Sequence, residues 1–337
     1  MPVRTGTKKS AQGKRPAAKQ DVPARAKWNL RPAGGLQVLE APALARLNWL
    51  VHGFSTRPGG ASELKTLRDG QDACEKVLNL GLTDWDTTER VRDNREKFFR
   101  AIGASKMRAA ALRQIHSGVV HVIDSGNESP AGTDSQGTKS QDTVPQGDAL
   151  ITRHPGVLLV VQIADCIPIL FADPKRRAIA AIHSGWRGTV RRIAAKALGR
   201  MQMEFGTKPE DVIAALGPGI GQSCYEVGTE LAAEFHAQFP NAREWFEGPF
   251  DQLADSDNDP NWLPWLTMKP PGHAPPSPRV HFDLIAANRA ILEAAGIPAR
   301  NISSSGLCTA CRSDLFFSFR KERTTGRMIA AIGIRWT

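Results

Sequence analysis

The chain has 337 residues, 41% hydrophobic and 23% charged, an ordinary globular balance with enough length for one large domain or two small ones. Its formal charge of +10 is lopsided: residues 1–31 hold nine Lys or Arg against Asp21 alone, and the rest of the chain is nearly neutral. No run reaches the ~18 apolar residues of a membrane span, and five scattered cysteines argue against a disulfide framework and for a reducing, cytoplasmic compartment.

Residues 1–31 lack large apolar side chains before Trp28 and are expected to be a disordered basic tail. Nothing in them resembles a secretory signal. A charge run alone is weak evidence for a nucleic-acid arm, so a solvated extension is the preferred reading, with no obligate nucleic acid and no membrane as partner. Residues 32–337 read as one domain without internal repeats.

Within that domain a strand over 51–57 enters a loop at Pro58-Gly59-Gly60-Ala61-Ser62. A helix over 88–102 follows, with Asp86 and Glu89 as its capping box, Val91, Phe98 and Ile102 on one face, and Gly103 as its stop. Residues 109–124 hold two short strands separated by Ser117-Gly118, and 125–147 form a polar, mobile loop. The run 156–163 is apolar enough for a strand buried on both faces. Further on come a strand–turn–strand unit over 167–182 and an amphipathic helix over 189–205. A strand over 212–216, a helix over 229–238 and an irregular insertion over 240–280 follow. Asp283 caps a helix that ends at Gly296. Closing strands are expected at 302–305, 315–319 and 328–334. This alternation predicts an α/β class (mixed α+β), a single domain with a mixed β-sheet flanked by helices.

The strand–turn–strand unit carries the chemistry. Folded about Lys175, it brings Cys166 roughly opposite His183, and facing residues in an antiparallel pair share a face with Cβ atoms about 4.5–5.5 Å apart. A thiolate and an imidazole so placed can share a metal ion. Among the other histidines His116 is the best third ligand, because it ends a strand where Ser117-Gly118 exposes it. Cys308-x-x-Cys311 has no partner pair and reads as structural or incidental. Gly217-Pro218-Gly219-Ile220-Gly221 reads as a sharp turn near the site, since Pro removes an amide donor that a phosphate loop needs. Tyr225, the single tyrosine, is expected to bury its hydroxyl.

Several motifs in one order resemble a known family. They are Ser55-Thr56-Arg57-Pro58-Gly59-Gly60, Gln114-Ile115-His116, Gly147-Asp148-Ala149, Ala164-Asp165-Cys166, His183-Ser184-Gly185-Trp186-Arg187-Gly188, Cys224-Tyr225-Glu226, Cys308-Thr309, Phe316-Phe317-Ser318-Phe319-Arg320 and Thr325-Gly326-Arg327. Together they resemble the purine nucleoside phosphorylases long labelled multicopper polyphenol oxidase or laccase-domain proteins, which include a peptidoglycan editing factor. Ser184, Phe319 and Cys311 depart from the usual pattern, which more often has alanine and tyrosine at the first two places and lacks the third.

The resemblance implies a catalytic α/β domain over 32–337 with a zinc ion, copper being the other option, held by His116, Cys166 and His183. It implies phosphorolysis of adenosine, inosine, guanosine and methylthioadenosine, with adenosine deamination as a further activity. Small purine nucleosides and phosphate are then the partners, and the oligomeric state stays open. Arg57 and Arg187, each beside glycines, are the candidates for phosphate contact. Arg57 is also a candidate catalytic residue, with a bracing ion pair as the competing reading. Asp165 is the other candidate catalytic residue, as general base, with a supporting role as its alternative. Copper-dependent phenol oxidation, a peptidoglycan-precursor amidase and anion binding through the basic tail are the alternative functions. A His₂Cys set does not exclude copper, but reducing oxygen takes more metal ligands than three, and no His-x-His cluster supplies them.

Overall fold

A computed structural model describes residues 28–68, 71–124, 144–248 and 279–336. The basic stretch 1–27 and most of the expected loops at 125–147 and 240–280 lie outside the described residues. In chain order the elements are β1 (Asn29–Ala33), β2 (Leu36–Glu40), the helical turn α1 (Pro42–Ala45), β3 (Leu50–Ser55), β4 (Pro58–Arg68), β5 (Gln71–Val77), α2 (Thr88–Ala101), β6 (Arg108–Ala110) and β7 (Val120–Val122). Next come β8 (Ala149–Thr152), β9 (Val157–Ile163), β10 (Ile167–Asp173), β11 (Ala178–Ser184), α3 (Trp186–Val190), α4 (Ile193–Phe205), β12 (Ile213–Leu216), β13 (Glu226–Gly228) and α5 (Thr229–His236). The chain closes with β14 (Phe246–Glu247), β15 (Arg279–Phe282), α6 (Leu284–Ala294), β16 (Ile302–Ser304), α7 (Phe319–Glu322) and β17 (Met328–Ile334).

The class is the expected α/β one, and its β structure is divided among two six-stranded sheets, a three-stranded sheet (β13-β15-β14) and the β4-β5 hairpin. Of the six-stranded sheets, one has the order β1-β2-β3-β17-β9-β6 and the other β16-β12-β10-β11-β8-β7. They pack face to face. Phe54, Leu159, Val161, Ala330 and Ile332 of the first meet Leu150, Leu170, Ala172, Ile179 and Ala181 of the second. The far face of the second sheet, with Ile169, Phe171, Ala180 and Ile182, is covered by Ile193, Ala197 and Leu198 of α4 and by Leu284 and Ile291 of α6. Phe98 of α2 and Ile102 cover the far face of the first sheet. Helix, sheet, sheet and helices thus form four layers. Every residue of β10 and β11 is buried, which is why these strands read as continuous apolar runs rather than alternating ones. Each large side chain so buried contributes about 1.5–3 kcal/mol. None of the described helices is long and apolar enough to cross a membrane.

Local departures from the sequence expectations have identifiable causes. The boundary drawn at residue 31 cuts through β1, which pairs with β2 from Asn29 onward. The supposed loop at 58–62 is the start of β4, which forms a two-stranded hairpin with β5 and a register shift between Pro58 and Ser62. Helix α2 is capped by Thr87, whose side chain accepts from Arg90 N at 3.3 Å. Asp86 is drawn away by Ser62 Oγ at 2.5 Å and Asn79 Nδ2 at 2.8 Å.

The helix expected over 189–205 breaks at Arg192, whose φ of 56° is left-handed. Such a residue costs roughly 1–2 kcal/mol. Tertiary contacts hold it there: the Arg192 guanidinium donates to Gln238 O at 2.9 Å and lies 4.6 Å from the Phe239 ring centre. Residues 315–319 are not a strand. Phe316 and Phe317 are both fully buried, and Ser318 then caps α7 by accepting from Lys321 N at 3.3 Å.

Candidate metal centre

The β10–β11 register pairs Pro168 with His183 and Ile167 with Ser184. This lies two residues from the expected opposition of Cys166 and His183. Cys166 itself lies in the bend just before β10, outside the ladder, and it reaches the centre with its Sγ 3.8 Å from His116 Nε2. Cys166 precedes β10 and His183 is the second-last residue of β11, so both stand at the open end of the hairpin. Gly185 keeps that end clear: a Cβ there would meet Cys166 Sγ at 2.7 Å and His116 Cδ2 at 3.1 Å.

His116 arrives from the link between β6 and β7, with a left-handed φ of 57°. Its backbone N–H donates to Asp148 Oδ1 at 3.0 Å, and its carbonyl accepts from Arg191 Nη1 at 2.6 Å. Its ring centre is 4.9 Å from that of His183, at 74°. Cys166 Sγ is 3.8 Å from His116 Nε2, and one ligand atom from each of the three residues lies within 4.8 Å of the others. Zinc–sulfur and zinc–nitrogen bonds of about 2.3 and 2.0 Å give a tetrahedral S···N separation of about 3.5 Å. The two imidazoles and one thiol therefore fit a metal ion, with one position left for another ligand. The geometry joins the three residues singled out in the sequence.

Asp148 was missed as a functional residue. It is fully buried immediately before β8, and His183 N donates to its carbonyl at 2.8 Å. Its Oδ1 accepts from His183 Nδ1 at 2.8 Å, while Oδ2 accepts from Ser117 N at 2.5 Å and Ser117 Oγ at 2.7 Å. One carboxylate thus fixes the ring of one histidine and the loop carrying the other. Burial pushes the Asp148 carboxyl upward, but the hydrogen bonds from His183 and Ser117 outweigh it and hold the carboxyl down at about 2. A carboxylate abutting a strand end in Gly147-Asp148-Ala149 was the available sequence signal.

Thiol and imidazole polarise one another. Burial opposes the charged form of both, yet the His183 charge lowers the Cys166 thiol to about 6, and the Cys166 charge together with Asp148 raises His183 to about 9. The site therefore favours a thiolate, the form that ligates metal.

Asp165 has a φ of 93° and lies in a bend, so the regular-strand expectation for it does not hold. Its Oδ1 accepts from Thr309 Oγ1 and its Oδ2 from Arg320 N, both at 2.6 Å. It thereby joins the Cys166 segment to the 307–309 turn and to the start of α7. Such backbone strain collects at sites where the surroundings over-determine it. Arg320 lies 5.0 Å from the Tyr225 ring centre. Burial raises the Tyr225 hydroxyl, and the charges of Cys166, Asp165, Arg320 and Arg187 also act on that half-buried ring. Arg327 is likewise under the charges of Asp165 and Cys166. Arg320, Arg327 and Thr309 carried no individual reading in the sequence.

Arg57 is buried, at 3% exposure, and its charge is already balanced. It pairs with Glu75 at 3.0 Å and with Glu322, donates to Ser313 O at 3.2 Å and lies 5.2 Å from the Phe317 ring centre. This is the bracing arrangement, not a free anion donor. Arg187 is exposed and lies 4.4 Å from the Trp186 ring centre. Ser184, unusual at its position, has a buried partner: its Oγ donates to Asn288 Oδ1 at 2.7 Å.

Fold and donor set together define an α/β protein with a candidate His/Cys metal site. The family model described as multi-copper polyphenol oxidoreductase laccase matches residues 51–335, and the chain belongs to that family. A Deinococcus radiodurans protein named purine nucleoside phosphorylase is 35% identical over 305 residues, covering 90% of this chain and 94% of its own. A protein of an unknown prokaryotic organism named adenosine deaminase RL5 is 33% identical over 271 residues, covering 80% of this chain and 91% of its own. The crystal structure of YlmD from Geobacillus stearothermophilus superposes with a TM-score of 0.70 at 31% identity, covering 91% of this chain and 98% of that one.

Proposed function

We propose that this chain is a zinc-dependent purine nucleoside phosphorylase that cleaves adenosine, inosine, guanosine and methylthioadenosine with phosphate, and that the same centre deaminates adenosine. The observation carrying this reading is the convergence of His116, Cys166 and His183, with His183 Nδ1 donating to Asp148. Relatives named purine nucleoside phosphorylase and adenosine deaminase support it.

The residues divide the work as follows. Asp148 accepts a hydrogen bond from His183 Nδ1–H, so Nε2 presents its lone pair to the centre. Cys166 contributes a thiolate. A zinc ion held by His116, Cys166 and His183 would supply Lewis acidity. Arg187, Arg320 and Arg327 give the edge of the centre the positive potential that phosphate needs. Arg57 does not join them, being neutralised by Glu75 and Glu322. Asp165, with both oxygens engaged, positions Thr309 and Arg320 rather than acting as a base.

Copper-dependent phenol oxidation is less well supported. Among the described residues the only other donor cluster, Cys224, Cys308 and Cys311, contains no histidine.

The test is metal analysis together with adenine release from adenosine, with and without phosphate, in wild type and His183→Ala. Phosphate-dependent release that disappears with the metal in the variant is the expected result. Undiminished turnover by metal-free His183→Ala would overturn the site, and release indifferent to phosphate would indicate a hydrolase. Inosine formed without phosphate reports the deaminase activity.

A further inference from the structure

A second donor cluster lies outside the His116–Cys166–His183 centre. Cys224 ends a short turn at Gln222–Cys224, and Cys308 and Cys311 lie in the turn that follows β16. One sulfur from each lies within 4.8 Å of the others, and Cys224 Sγ is 3.4 Å from Cys311 Sγ. The segments carrying them are already paired: Gly219 N donates to Leu307 O at 3.3 Å and Thr309 N to Gly219 O at 3.0 Å. The sequence showed only Cys308-x-x-Cys311, because the third thiol comes from 84 positions earlier in the chain.

We propose that Cys224, Cys308 and Cys311 form a second metal site, a three-thiolate clip for a thiophilic d¹⁰ cation of the zinc type, which fastens the 219–225 turn to the 307–311 turn. Two features point to a metal rather than to chance proximity. Cys308 Sγ accepts backbone N–H groups from Gly221 at 3.2 Å and Cys311 at 3.4 Å, so its surroundings are built to hold negative charge on sulfur. The x-x spacing with a remote third thiol is the donor pattern of sulfur-rich zinc sites, and the exposed side of Cys311 leaves room for a fourth ligand.

Electrostatics agree with this geometry. Burial raises the Cys308 thiol, but the amide hydrogen bonds outweigh it and lower the thiol below its ordinary value. Crowding by Cys224 and Cys308 pushes Cys311 up to about 11. Three adjacent sulfurs cannot all ionise alone, and a dication removes that conflict while the thiol protons pass to solvent.

The clip has a structural consequence for the first centre. Tyr225 follows Cys224, and Thr309, which donates to Asp165, follows Cys308. Locking the two turns together therefore holds two parts of the wall around the first site.

Cobalt(II), loaded into the reduced full-length protein without oxygen, tests the proposal. Wild type is expected to hold two equivalents. Cys166→Ala removes sulfur from the first centre, so its remaining equivalent should still show thiolate-to-cobalt charge-transfer absorption. That band should vanish in Cys166→Ala/Cys311→Ser; Cys311 is exposed, and circular dichroism checks that the fold is kept. Loss of all cobalt from Cys166→Ala would overturn the site. So would a Cys224–Cys311 disulfide in the freshly isolated protein, read as two missing thiols among the five.

Discussion

Asp148 and His183 are joined twice, by His183 N to the Asp148 carbonyl and by Nδ1 to Oδ1, each at 2.8 Å. The pairing of β11 with β8 sets the first bond, since Ile182 opposite Ala149 brings the next residues of each strand together. Sheet register thus orients a proposed metal ligand. Replacing Asp148 by Ala should weaken metal binding by about 10–100-fold, while Asp148→Asn, which keeps one acceptor oxygen, should lose less. Competition with a chelator of known affinity measures both, and equal affinity in all three proteins would refute the role.

Gly185 offers a test of geometry that leaves every proposed ligand unsubstituted. Its backbone φ of −81° suits any residue, so Gly185→Ala should fold normally. The new Cβ, however, would fall 2.7 Å from Cys166 Sγ. Displacing a ligand by an ångström costs on the order of 10²-fold in turnover. Activity assayed beside a thermal melt separates the outcomes: lost turnover with an unchanged Tm is expected.

Arg57 makes the opposite forecast. With a buried guanidinium between Glu75 and Glu322, Arg57→Ala should cost about 3 kcal/mol of stability, the penalty for breaking a buried ion pair. The phosphate KM of the folded fraction should not change. A raised phosphate KM at unaltered stability would return Arg57 to the anion site.

His52 predicts an acid-sensitive component of stability. It is 6% exposed, and its Nε2 accepts the Ala41 N–H at 3.0 Å, which requires the neutral ring. Burial, with the Arg31 charge adding to it, lowers its pKa from 6.5 to about 4. The unfolded chain therefore binds the extra proton first. Stability is whole above pH 6.5 and falls by up to about 3 kcal/mol as the pH drops from 6.5 through 4. His52→Gln keeps an acceptor without titrating, so denaturant titrations across that range should show a shallower loss than in wild type.

Much of this molecule is legible in its sequence. The buried hairpin, the Asp283 cap and the amphipathic stripe of α4 all follow from local patterning. The sequence also placed Cys166 near His183 at the open end of that hairpin, although Cys166 lies in the bend before β10 and His183 is opposite Pro168. Where local reading failed, a distant partner decided. Asp86 lost the cap to Thr87 because Ser62 and Asn79 claimed it, and Arg192 broke a helix because Gln238 and Phe239 held it.

The candidate donors were therefore legible from residue type and spacing along one hairpin and one turn. Their environment was decided only in the tertiary structure. Strand register within one sheet brought Asp148 beneath His183, while packing of distant segments committed Arg57 to Glu75 and Glu322 and set Cys224 against Cys311. Each contact joins segments tens to hundreds of positions apart, and no periodicity along the chain encodes such contacts, because packing and strand register create them in three dimensions.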